Sequence, residues 1–196
     1  MEDRLFDWAA QAAGGEVVRT SRAAGGNRRQ SWAIDVRRPD GMVRELFLRH
    51  DPRETIDGIE PYTIAREAEI YRAIAPIGLK APQYVAESRE LRAVLTDRAH
   101  GIAELRHLKD PDAKQQIARE FMDNIAGLHR ARDVTLDGGP TGRIATHVAR
   151  EVALWKSMYE EVGKPDPLMD FAFRWLEATM PDPGEAPAIA HGAPGP

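Results

Sequence analysis

Ser31-Trp32-Ala33-Ile34-Asp35-Val36 and Val43-Arg44-Glu45-Leu46-Phe47-Leu48, with Pro39-Asp40-Gly41 between them, decide the fold of this chain. Branched and aromatic side chains in both runs suit a pleated, half-buried surface. The Pro-Asp-Gly between them is turn chemistry: Pro presets φ, Asp bonds its own backbone, and Gly accepts a positive φ. Two antiparallel strands are predicted. Upstream, Val17-Val18-Arg19-Thr20 reads as a third strand, separated from the hairpin by Ala24-Gly25-Gly26-Asn27. Ahead of it, Leu5, Trp8, Ala9 and Ala12 stand at helical spacing over residues 2–13, and Gly14-Gly15 ends the run.

Downstream of a polar loop containing Asp57-Gly58 and Pro61, the residues Ile64, Ala68, Tyr71 and Ile74 repeat at three and four. They predict a helix ending near Gly78. Two further strands follow, Gln83-Tyr84-Val85-Ala86 and Leu91-Arg92-Ala93-Val94-Leu95-Thr96. From Asp112 the period is helical throughout. Ile117, Phe121, Ile125 and Leu128 share one face, Val148, Val152, Trp155 and Tyr159 another, and Leu168 to Met180 carries Phe171, Trp175 and Leu176. Apolar stripes of this kind read as core packing. Residues 181–196, with five Pro and three Gly, read as a tail.

The 196 residues can bury a real core, and 42% hydrophobic with 30% charged residues is a globular mix. Lys and Arg number 27 against 31 Asp and Glu, a net charge of -4, which argues against nucleic acid or an anionic membrane as the main partner. The N-terminus lacks the apolar core of a secretion signal and no run approaches membrane-spanning length, so a cytoplasmic location is expected. With no cysteine, any chemistry rests on oxygen and nitrogen groups.

An α+β order of three strands, a helix, two strands and then helices resembles the small lobe of the protein-kinase-like fold and the start of its large lobe. The residues within it are similar to the aminoglycoside phosphotransferase family, in particular the branch found near acyl-CoA dehydrogenases. Four stretches carry the resemblance. Gly25-Gly26-Asn27-Arg28-Arg29-Gln30-Ser31-Trp32 looks like the family's Gly-containing nucleotide loop, where small residues let backbone N–H groups approach phosphates; Arg28 stands where the family usually has Ser. Leu46-Phe47-Leu48-Arg49 looks like the strand whose final basic residue reaches the α- and β-phosphates. In Ala65-Arg66-Glu67-Ala68-Glu69, Glu67 matches the helical carboxylate that holds that cation. Leu95-Thr96-Asp97-Arg98-Ala99-His100-Gly101 is similar to the hinge, with the adenine edge near Asp97 and Ala99. Read without the family, the first three have ordinary alternatives: a hairpin loop, a strand-end surface Arg, an exposed helical Glu. Ile125-Ala126-Gly127-Leu128-His129 resembles the family's Leu-His helix, with His129 in a structural hydrogen-bonding role.

The resemblance implies an ATP-dependent transfer of phosphate to a small-molecule hydroxyl, with Mg2+ required by a complete family member. It divides the chain into a nucleotide-binding lobe over 1–100, the helical start of a second lobe over 101–190, and residues 191–196 at the catalytic loop. There the pattern breaks. The family reads His-Gly-Asp, whereas His191-Gly192 is followed by Ala193, and no Asn or later metal-binding Asp follows. No catalytic residue can therefore be assigned, and the expectation is a chain shortened or frame-shifted near Gly192 with little activity. The alternatives are a non-catalytic nucleotide-binding module and an interaction domain, the latter with an exposed apolar surface that favours self-association.

Overall fold

In the computed structural model the described residues are 1–23, 29–52, 63–101, 105–131, 134, 136, 144–180 and 189. The chain divides into two compact units, Met1–Leu136 with Ala190–Pro196, and Asp137–Ile189. The first unit opens with α1 (Glu2–Ala13), followed by β1 (Glu16–Arg22), β2 (Gln30–Arg37) and β3 (Val43–His50). Then come α2 (Ile64–Ile74), β4 (Tyr84–Ser88), β5 (Ala93–Asp97) and α3 (Pro111–Arg130). The strands form one antiparallel five-stranded sheet in the order β1-β2-β3-β5-β4. The expected α+β class holds. The first three strands are a meander, but β5 takes the place beside β3 and β4 lies at the edge.

The turn between β2 and β3 behaves as its residues dictate. Arg38 and Met42 close it through an N–H···O bond of 2.8 Å, Gly41 adopts φ 84°, and the Asp40 carboxylate accepts the Met42 N–H at 2.9 Å. This fixes the register, with Trp32 opposite Leu48 and Ile34 opposite Leu46. Because strand side chains alternate, the register sorts residues between the two faces. Trp32, Ile34, Val36, Leu46, Leu48 and Leu95 go to one face and are buried there against Leu5, Ala9 and Ala13 of α1. On α1 the buried stripe therefore runs i, i+4, i+8, with Ala13 in the place expected for Ala12, which is exposed. Gly14 ends α1 at φ 71°, and Gly15 passes so close to β2 that a Cβ there would lie 2.2 Å from the Arg37 carbonyl oxygen.

On the opposite face, Val94 is buried against Ile64 and Ala68 of α2, with Tyr84 beside them. The Thr63 hydroxyl caps α2 by accepting the Arg66 N–H at 3.1 Å. The helix α3 begins with Pro111 behind an Asp110 cap and docks on the segment before β4. Asn124 accepts the Lys80 N–H at 2.8 Å, Lys80 pairs with Glu120 at 2.7 Å, and Gly127 leaves room for Leu79. Of the expected apolar stripe of α3, Leu128 is buried, whereas Ile117 and Phe121 are exposed. His129 is exposed at the helix end.

The second unit contains α4 (Ile144–Val162) and α5 (Pro167–Thr179). Tyr159 stacks on Phe173 at 5.7 Å, its hydroxyl donates to Asp170 at 3.0 Å and accepts the Asp166 N–H at 2.6 Å, and Lys156 pairs with Glu177 at 2.8 Å. Trp155 and Trp175, expected in the core, are 47% and 55% exposed. Only one side of a two-helix pair can face its partner, so the outer members of both stripes meet solvent. No described helix is long and apolar enough to cross a membrane.

Candidate functional site

The register of β3 places Arg49 opposite Ser31 on one side and Val94 on the other. It therefore faces α2, the reverse of its neighbours Leu48 and His50, and a slip of one residue would drive the guanidinium into the α1 core. On α2, Glu67 lies one turn from the buried Ile64 and one turn from Tyr71, so the burial of Ile64 and Ala68 aims both Glu67 and Tyr71 along the sheet. The two elements meet in an ion pair, Arg49 Nη1 to Glu67 Oε1 at 2.6 Å, with Glu67 only 14% exposed. The next acid, Glu69, turns away and pairs with Arg66 at 2.7 Å.

Two further groups complete the cluster, neither assigned a role by the sequence. The Glu67 Oε2 atom accepts a hydrogen bond from Arg29 Nη1, and Arg29 Nε lies 4.0 Å from Oδ2 of the buried Asp51. Gln30 pairs with His50, so Arg29 at the mouth of β2 falls beside Asp51 just past β3; that juxtaposition follows from the hairpin register and was available in the sequence. The second group is Tyr71, one turn beyond Glu67 on α2, whose hydroxyl feels the charges of Glu67, Arg49 and Arg29. Burial, and then the Glu67 charge, push its pKa above the ordinary 10.0, because both disfavour the phenolate.

The folded chain consequently holds the Tyr71 proton more tightly than the unfolded chain does. Its contribution to stability is complete below the ordinary value of 10.0 and is lost as pH rises from there through the raised folded value. Urea midpoints measured between pH 9 and 11 are expected to fall less steeply in Tyr71→Phe than in the parent chain. Equal slopes would mean that Tyr71 does not titrate in this window with the folding reaction.

At the far end of β5 the backbone is already partly committed. The Asp97 N–H bonds Gln83 at 2.9 Å and the Arg98 N–H bonds Glu45 at 3.1 Å, while exposed Ala99 has no backbone partner of this kind among the described residues. The Asp97 carboxylate is held by Arg44, at 3.1 Å from Nε and 2.8 Å from Nη2. Arg98 joins Asp35 at 2.9 Å and Glu45, and His100 lies 3.1 Å from Glu45. Asp97 pairs with Leu46, three residues from Arg49 along β3, which spaces the two places by about 10 Å. Gly25, Gly26, Asn27 and Ala193 lie outside the described residues.

Arg49, fixed by the helical carboxylate of Glu67, thus stands at one end of β3, with the exit of β5 toward the other. In a comparison of the sequence with known families, the family model described as "Phosphotransferase enzyme family" matches residues 20–194. The chain belongs to the phosphotransferase enzyme family. No curated protein matches the chain. The matched stretch opens within β1 and contains Arg29, Arg49, Asp51, Glu67, Tyr71 and Asp97, so all the groups described above lie in the family's own part of the sequence.

Proposed function

We propose that the sheet and α2 bind the triphosphate of ATP, as the nucleotide-binding half of a phosphotransferase that acts on a small-molecule hydroxyl. The observation that carries this reading is the Arg49–Glu67 ion pair. Arg49 is 34% exposed and has five N–H donors, of which Glu67 engages only part, so it can offer the remainder to an anion. Glu67 keeps the guanidinium in place before the anion arrives, which lowers the ordering cost of binding. The spacing of about 10 Å from Arg49 to Asp97 suits a nucleoside followed by its first phosphates, with the Ala99 N–H offered to the base. The resemblance assigns Gly25, Gly26 and Asn27 to the phosphates as well.

Magnesium enters as the counterion of the nucleotide. Among the described residues no three His, Asp or Glu side chains come together as a metal site. Phosphoryl transfer also needs a group that orients the attacking hydroxyl. The family's Asp matches Ala193 here, a side chain that can neither accept a proton nor orient a hydroxyl. We therefore read this sequence, in the acyl-CoA-dehydrogenase-associated branch and in the cytoplasm, as holding nucleotide with little turnover of its own. Ala193 is also the observation that favours the second reading, a nucleotide-binding module without catalysis.

MgATP at a hundred times its Kd stabilises the native chain by about 2.7 kcal/mol, so a rise of several degrees in Tm is expected. In Arg49→Ala the rise should disappear while the melt stays cooperative. An unchanged Tm in the parent chain at millimolar MgATP would overturn nucleotide binding, and phosphate release clearly above a blank would overturn the reading of Ala193.

A further inference from the structure

The carboxylate of Glu67 has two oxygens and two guanidiniums. Oε1 takes Arg49 from the end of β3, and Oε2 takes Arg29 from the start of β2. On its other side Arg29 approaches Asp51, whose side chain is 2% exposed. Four charges thus alternate in sign, Asp51, Arg29, Glu67 and Arg49, with Asp51 the least exposed at 2% and Arg49 the most at 34%. The two arginines differ accordingly. Arg29, 19% exposed, has a carboxylate on each side, whereas Arg49, at the other end of the row, has one among the described residues.

We propose that Arg29 is a positioning residue for the nucleotide, acting through Glu67 rather than on the phosphates. This rests on the nucleotide reading given above. A carboxylate held by one partner can still turn about its last side-chain bond, because that torsion is broad and soft. With Oε2 engaged by Arg29, the carboxylate plane is fixed and Oε1 is left facing Arg49. Arg29 also follows directly on the Gly25-Gly26-Asn27-Arg28 segment, so the same ion pair anchors the root of that segment to α2. Charge balance supports the assignment. With two acids flanking Arg29, an incoming triphosphate gains little from it directly and more from Arg49.

A double-mutant cycle on MgATP affinity tests the role, using the full chain with Arg29→Ala, Glu67→Gln and the pair together. Arg29→Ala is expected to weaken MgATP binding about tenfold, and the loss should vanish when Glu67→Gln is already present, because Arg29 then has no carboxylate on α2 to hold toward Arg49. Adenosine, which has no phosphate, should bind the parent chain and Arg29→Ala equally. Arg29→Lys, which keeps one charge for Oε2, should recover most of the MgATP affinity. A full tenfold loss in the Glu67→Gln background would place Arg29 on the phosphates and overturn the proposal. An equal loss for adenosine would mean general damage to the fold and overturn it too. If the parent chain binds MgATP no more tightly than adenosine, the parent reading of Arg49 fails, whereas normal MgATP affinity in Arg29→Ala refutes the role of Arg29 alone.

Discussion

Glu67→Gln is expected to lower the stability of the folded chain by about 2 kcal/mol and to weaken its response to MgATP. The substitution keeps the shape of the side chain and deletes its charge, leaving two guanidiniums converging on a neutral amide. A fully buried pair broken from one side costs more, but Arg49 and Arg29 are 34% and 19% exposed, and water screens part of their repulsion. The effect on binding is larger in kind, since Arg49 then loses its anchor and must be ordered by the nucleotide itself. Urea titration with and without saturating MgATP measures both. A midpoint that falls with the MgATP response intact would show that Glu67 is a structural acid only.

Leu48→Ala is expected to cost about 3 kcal/mol, a large share of the 5–15 kcal/mol typical of a folded chain. Leu48 is fully buried on the α1 face, between Trp32 on β2 and Leu95 on β5. Deleting its branched end removes transfer energy and leaves a cavity that two paired neighbour strands cannot collapse to fill. The consequence reaches the site, because the burial of Leu48 is what sends the adjacent Arg49 to the opposite face. Val43 on the same strand is 48% exposed, and Val43→Ala should change stability by less than about 0.5 kcal/mol. Urea midpoints of the two variants give the comparison, and equal costs would contradict the assignment of faces.

The sheet and α2 were legible in the sequence because their signals are local. Pro39-Asp40-Gly41 fixes a turn whatever surrounds it, and Ile64, Ala68 and Tyr71 define a helix face by spacing alone. The strand order was not legible past β3, since nothing local in Leu91–Thr96 says that β5 rather than β4 lies beside β3. The Arg49–Glu67 pair was implied by the resemblance, and its geometry follows from register on one side and helix period on the other. Arg29 escaped because it sits in a polar run, Arg28-Arg29-Gln30, where composition does not separate one Arg from the next; only the pairing of Gln30 with His50 puts it beside Asp51. Trp155 and Trp175 misled for the opposite reason. An apolar period shows which face of a helix is sticky, and it does not say how much of that face a single partner helix covers.

Calorimetric titration of MgATP into the parent chain and into Arg49→Ala is the most direct test of the central claim, that Arg49 held by Glu67 is the phosphate-binding cation. The account predicts saturable one-site binding to the parent chain and a loss of at least tenfold in Arg49→Ala, with both proteins melting cooperatively. Equal affinity in the two, or no heat of binding in the parent chain at millimolar nucleotide, would contradict it.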